Sequence, residues 1–168
     1  MKENENIILI GMSGAGKSTL GVLLAKALGK SFVDTDLLIQ QKAGKLLQNI
    51  IDEDGMEYFM QLEEDVVSGV CLDNCVIATG GSVVYSPKAM EHLKQSGTTV
   101  YLAVDYDELV GRLSNITTRG IVFKNKQDLH SVYEERLPLY ERYGDLRLNC
   151  TGLNIESAVL QIVTLLRE

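Results

Sequence analysis

The sequence predicts an α/β fold, a parallel sheet covered by helices on both faces, and three observations carry that prediction. Short β-branched runs alternate with longer amphipathic stretches along the 168 residues, the pattern of strands joined by helical crossovers. A glycine-rich loop stands directly between the first apolar run and the first helical pattern. The composition is that of an ordinary globular protein, 45% apolar and 23% charged, in a length that suits one domain, taken as residues 1–168.

The elements follow in order. Ile7–Ile10 is a continuous apolar run, read as a buried strand. The residues before it are short and polar, so no signal peptide is expected. After the glycine-rich loop, Leu20, Leu23, Leu24, Ala27 and Leu28 repeat at i, i+3, i+4, i+7 and i+8, one buried helix face, and Gly29 marks its end. Ser31–Asp34 is the second strand, and a helix runs from Met56 to about Leu72. Val76–Ala78 is the third strand, Pro87–Gln95 a helix, Thr99–Leu102 the fourth strand and Asp105–Leu113 a helix. The segment 114–126 is polar and holds Arg119, Gly120, Lys124 and Lys126. It reads equally as a surface loop or as a mobile lid. Leu129–Tyr143 and Ile155–Leu166 are the last helices, flanking the strand Leu146–Asn149. Tyr133, Tyr140 and Tyr143 recur on the first of these at helical spacing, as a packing stripe.

Composition also excludes partners. The net charge is −7 with no basic cluster, which argues against nucleic acid. No apolar run approaches the roughly 20 residues that cross a bilayer, so no membrane is expected. Cys71, Cys75 and Cys150 are an odd count with no CxxC spacing and apolar flanks. They read as small buried residues in a reducing cytoplasm. His92 and His130 are expected on solvated helix faces.

The chemistry begins at Gly11-Met12-Ser13-Gly14-Ala15-Gly16-Lys17-Ser18-Thr19, which matches the full GxxxxGK[ST] pattern of a P-loop. Its N–H groups can point inward at phosphate oxygens, and the following helix adds its positive end. This predicts ATP and Mg2+ as ligands. Gly14, Ala15, Gly16, Lys17, Ser18 and Thr19 form the nucleotide cradle, with Lys17 on the β- and γ-phosphates and Ser18 on the metal. Asp34 and Asp36 close the second strand, two apart and so on one face of an extended segment. Beside a triphosphate, one can hold the metal and the other can take or orient the proton of an attacking hydroxyl. An Asp there can equally cap the next helix.

With those two motifs together the chain resembles the shikimate kinase family. Gly55-Met56-Glu57-Tyr58-Phe59-Met60-Gln61-Leu62-Glu63 is similar to its G-E-x-x-F-R-x-x-E segment. Ala78-Thr79-Gly80-Gly81-Ser82 is similar to its glycine turn, and Arg136-Leu137-Pro138-Leu139-Tyr140 to its R-x-P-L-Y motif. The matches run in order from residue 7 to about residue 143. The resemblance implies a three-layer sandwich around a five-stranded parallel sheet of the P-loop kinase type, a lid at about 114–126, and a small acceptor-binding helical region at 34–63. It implies phosphorylation of shikimate to shikimate 3-phosphate in aromatic amino-acid biosynthesis, by a cytoplasmic monomer. Carried over by position, Asp36 assists the attacking hydroxyl, and Asp34 and Ser18 serve the metal. Gly80 and Gly81 offer N–H groups to the acceptor, and Arg136 pairs with its carboxylate. Arg119 closes over the transferred phosphate, and Arg112 lies along the adenine.

Three positions depart from the family pattern: Met60 replaces an arginine that also grips the carboxylate, Ser82 replaces the third glycine, and Gly120 follows Arg119 where proline is common. Methionine donates no hydrogen bond. A charged one contributes about 1.5–3 kcal/mol, roughly ten- to hundredfold in affinity. Three readings follow, in descending order: a shikimate kinase, a relative acting on another small hydroxylated metabolite, and a nucleotide-binding regulatory module without transfer.

Overall fold

The computed structural model of the chain describes residues 5–114 and 126–167. Its centre is one sheet of five strands: β1 (Asn6–Ile10), β2 (Ser31–Asp34), β3 (Cys75–Ala78), β4 (Gly97–Ala103) and β5 (Leu146–Asn149). They lie in the order β2-β3-β1-β4-β5, and every pairing is parallel. Leu9 stands opposite Ala78 on one side and Val100 on the other. Ile7, Ile8, Leu9 and Ile10 have no exposed surface. Both faces of β1 are therefore covered, which is why its sequence is continuously apolar rather than alternating.

Eight helices accompany the sheet among the described residues: α1 (Lys17–Leu28), α2 (Thr35–Ala43), α3 (Leu47–Asp54), α4 (Met56–Ser68), α5 (Pro87–Ser96), α6 (Tyr106–Ser114), α7 (Lys126–Tyr143) and α8 (Ile155–Leu165). α1 and α8 pack on each other and form one layer, with α1 against β1, β2 and β3. α5 and α7 cover β4 on the other side, bridged by a short 3-10 turn at Val83–Tyr85. The sheet is thus the middle of three layers, as expected. None of the described helices is long and apolar enough to cross a membrane.

Several elements differ from the sequence reading. α2 and α3 occupy most of residues 35–54, where the residue patterns marked no helix and only the family resemblance implied a helical region. α4 stops at Ser68, four residues short of Leu72, where the Gly69 N–H bonds back to the Val66 carbonyl and the Val70 N–H to the Val67 carbonyl. Cys75 and Cys150 are buried as expected, but Cys71 is exposed, because it falls in the loop after α4 rather than inside the helix. His130 is exposed, whereas His92 is half-buried, with Nε2 2.6 Å from the Val70 carbonyl.

Two clusters of buried side chains result. The large one surrounds the sheet. The small one is Ile39, Ile50, Phe59 and Leu62, where α2, α3 and α4 meet, with Met60 packed against it. The strand order reverses at β1, so the loops leaving β1, β2 and β3 open on a common crevice at the carboxyl edge, where ligands of such sheets bind.

Candidate active site

The crevice is floored by the loop between β1 and α1. Gly16 caps α1 at φ 94, a left-handed conformation that glycine adopts without a Cβ clash. The first turn of α1 carries no acidic side chain of its own, and its residues Lys17 and Ser18 line the crevice. The Ala15 N–H donates to the Met12 carbonyl at 3.1 Å and tightens the loop. Lys17 is buried, and its Nζ donates to the carbonyls of Gly11 at 2.7 Å and Met12 at 2.9 Å. The ammonium is held inside the loop that carries it.

Asp34 ends β2 and does two jobs. Its Oδ1 accepts the Asp36 N–H at 3.0 Å and caps α2. Its Oδ2 accepts the Ser18 hydroxyl at 2.6 Å. The capping and metal readings of this position therefore coexist in one carboxylate. Ser18 Oγ and Asp34 Oδ2 are hard oxygen donors side by side, suited to Mg2+, which takes one or two protein oxygens together with substrate phosphates.

The third wall is the turn after β3. A Cβ on Gly80 would press on Glu63 Oε1 and lie 2.9 Å from Asp36 Oδ1. One on Gly81 would lie 2.9 Å from Arg136 Nη1 and 3.0 Å from Ser13 Oγ. Carboxylates and guanidinium thus crowd the backbone of this turn, and only glycine leaves room for them. Glu63 is 3% exposed. Its Oε2 accepts the Ser82 hydroxyl at 2.5 Å, while Oε1 is buried without a hydrogen-bond partner among the described residues. Burial pushes its pKa up to about 7; the Ser82 hydrogen bond opposes this and the Asp36 charge adds to it. Ser82, the departure from the glycine pattern, is therefore the hydrogen-bond donor to a buried acid.

Arg136 enters from α7. Its Nε donates to the Tyr85 hydroxyl at 3.3 Å, and its guanidinium carbon lies 5.2 Å from the centre of that ring. Tyr140, one helical turn further on, is fully buried. It stacks on Tyr101 and donates its hydroxyl to the Gly81 carbonyl at 2.7 Å. The tyrosine stripe on α7 is thus core packing that also fixes the glycine turn.

Arg112 stands behind the P-loop. It donates to the Ala15 carbonyl at 3.2 Å and to Cys150 at 3.2 Å, and forms an ion pair with Glu108 one turn earlier. Glu108 in turn accepts the Gly152 N–H at 2.8 Å. That backbone bond, and then Arg112, hold the Glu108 carboxyl below the usual carboxylate range. The network ties the P-loop to the loop after β5.

Gly14, Gly16, Lys17, Ser18, Asp34, Asp36, Gly80, Gly81 and Arg136 line one cavity of about 480 Å3. Of the other expected site residues, Ala15 is buried within the loop, Thr19 is exposed on α1 and Arg112 lies behind the cradle. Arg119 and most of the expected lid lie outside the described residues. Sequence reasoning gave no site role to Glu63 or Tyr85, noted Ser82 only as a departure from the glycine turn, and read Tyr140 only as packing. Met60 does not line this cavity; it borders a separate groove with Glu63, Ser82 and Tyr85. The arrangement can hold a polyphosphate at one end and a small molecule with hydroxyl and anionic groups at the other.

The chain is similar to known proteins over nearly its whole length. The shikimate kinase family model matches residues 13–167. A shikimate kinase of Francisella tularensis subsp. holarctica is 36% identical over 172 residues, covering all of this chain and 98% of that protein. One of Dehalococcoides mccartyi is 34% identical over 170 residues, with 100% and 97% covered. Among solved structures, shikimate kinase from Acinetobacter baumannii in complex with shikimate superposes with a TM-score of 0.86 at 29% identity, over 97% of this chain and 93% of that one. The Bacteroides thetaiotaomicron shikimate kinase gives 0.85 at 29% identity, over 99% and 100%.

Proposed function

The chain belongs to the shikimate kinase family, and from that premise we propose that it transfers the γ-phosphoryl group of ATP to a hydroxyl of shikimate, giving shikimate 3-phosphate and ADP. The observation that carries this is the convergence on one cavity of a P-loop cradle, Asp36 and the Arg136 guanidinium. A nucleotide-binding module would have no use for the last two, and the family is one of ATP-dependent kinases.

In the proposed reaction the triphosphate lies along the P-loop and the N-terminus of α1. Lys17 neutralises the β- and γ-phosphates. Ser18 and Asp34 would hold Mg2+, which when bound shields the phosphate charge. At the other end of the cavity, Arg136 pairs with the acceptor carboxylate, and the Gly80 and Gly81 N–H groups meet acceptor oxygens. Asp36 orients the attacking hydroxyl and takes its proton as the new O–P bond forms and the bond to ADP breaks. By position in the family pattern, Arg119 would approach the transferred phosphoryl group and Arg112 would flank the adenine.

The test is an ADP-release assay with shikimate beside a panel of polyols and hydroxy acids. Shikimate-dependent turnover at sub-millimolar to millimolar substrate is expected. Its absence, with brisk turnover of another acceptor, would establish the second reading, a kinase of a different small hydroxylated metabolite. That reading draws on one observation: besides Lys17, Arg136 is the only basic side chain among the described residues lining the cavity.

A further inference from the structure

Among the described residues a single guanidinium lines the acceptor side, which makes its orientation decisive. An arginine recognises a carboxylate through two parallel N–H···O bonds, and that fork works only when its plane is set beforehand. Beside the Tyr140 hydroxyl, which is also a side-chain partner of the guanidinium, Arg136 has two competing neighbours. One is Tyr85, whose hydroxyl accepts from Nε and whose ring lies under the guanidinium. The other is Glu63, whose buried Oε1 has no hydrogen-bond partner among the described residues and whose carboxyl senses the Arg136 charge. Collapse onto Glu63 would satisfy that oxygen and remove the guanidinium from the acceptor.

We propose that Tyr85 is a positioning residue for acceptor recognition: it tethers Arg136 through Nε, holds the guanidinium off Glu63, and leaves the two terminal amino groups facing the cavity for the acceptor carboxylate. Using Nε for the tether is what makes this possible, because the end-on fork of Nη1 and Nη2 stays available. Nη1 already stands beside the Gly81 backbone at the cavity wall. The phenol itself is held from the far side, since Glu135 is a second side-chain partner of its hydroxyl. Tyr140, the other phenol near Arg136, donates to the Gly81 carbonyl and is locked by its stack on Tyr101. Met60, across the groove from Tyr85, offers no donor that could share the task.

This inference rests on shikimate being the acceptor, and the experiment separates the two. Tyr85→Phe keeps the ring and removes the hydroxyl. The KM for shikimate should rise about tenfold, with kcat and the KM for ATP within about twofold, as expected when an interaction shared by ground and transition states is lost. Tyr85→His, which keeps a ring and an acceptor nitrogen, should restore the KM to within about threefold. In an Arg136→Lys background, which has no Nε tether, Tyr85→Phe should add almost nothing. An unchanged shikimate KM in Tyr85→Phe, a loss confined to kcat, or an equal rise in the Arg136→Lys background each overturns the positioning role while leaving the kinase assignment intact. A parent enzyme that does not turn over shikimate overturns the assignment, and the inference with it.

Discussion

Asp36 and Glu63 are two carboxylates that both press on Gly80, and their surroundings set them apart. Asp36 lines the cavity in the first turn of α2, open to a bound hydroxyl. Replacing it with Asn should lower kcat about 10²- to 10⁴-fold, with the KM for ATP little changed, in the same ADP-release assay. Glu63 is the opposite case. Burial raises its pKa to about 7 from an ordinary 4.5. The folded state therefore binds a proton that the unfolded state releases between those values. Its stabilising contribution is complete below about pH 4.5 and is lost as pH rises through about 7, a swing of roughly 3 kcal/mol. Glu63→Gln keeps an acceptor for Ser82 and removes the titration. Urea unfolding between pH 5 and 8 should show the parent losing stability relative to Glu63→Gln as pH rises; parallel profiles would refute the buried-acid account. The role of Asp36 was legible in the sequence, but the surroundings of Glu63 were not. Glu63 meets Ser82 across 19 positions, and Tyr85 meets Arg136 across 51. Neither pairing follows from local spacing.

At the scale of elements, Asp34 joins β2, α1 and α2 through a single side chain. The two functions separate by substitution. Asn is as good an N-cap as Asp, so Asp34→Asn should leave the melting temperature within a few degrees while weakening Mg2+-dependent turnover by tenfold or more. Asp34→Ala should lose the cap as well, and about 1 kcal/mol of stability with it. Equal melting temperatures for the two variants would show that the cap contributes nothing. The strands, the P-loop and the Asp34–Asp36 pair were readable because each is a local pattern: a β-branched run, a fixed glycine spacing, two acids on one face. The individual helices α2 and α3 were not; only the resemblance implied a helical region there. α2 buries only Thr35 and Ile39, and the stripe Leu47, Ile50, Ile51 of α3 spans little more than one turn, too short a repeat to stand out. Their ends are instead written in Asp34, Gly44 and Gly55, the caps that bound them. Reading the capping alternative for Asp34 as compatible with the metal one would have revealed α2.

The molecule as a whole is built from unequal parts, and the inequality falls along the cavity. The P-loop side rests on the large cluster around the sheet, whereas the acceptor side rests on Ile39, Ile50, Phe59 and Leu62. Leu37, Leu46 and Met56 are exposed at its rim. Local opening is governed by the apolar contacts that must be broken, so the wall formed by α2 and α3 should open far more often than the sheet. Amide hydrogens of residues 38–43 and 50–54 should therefore exchange at least about 10²-fold faster than those of Ile7–Ile10 and Val100–Leu102. A ligand that binds only the closed wall suppresses its opening in proportion to its occupancy, about 2.7 kcal/mol at a hundredfold excess over Kd. Shikimate at saturation should slow exchange in α2 and α3 selectively, while ATP should act first on the loop at 11–19 and the start of α1. Uniform protection by either ligand, or equal exchange of α2 and the central strands in the free protein, would mean that the two sides of the cavity move as one body. The division into a rigid nucleotide half and a yielding acceptor half would then be wrong.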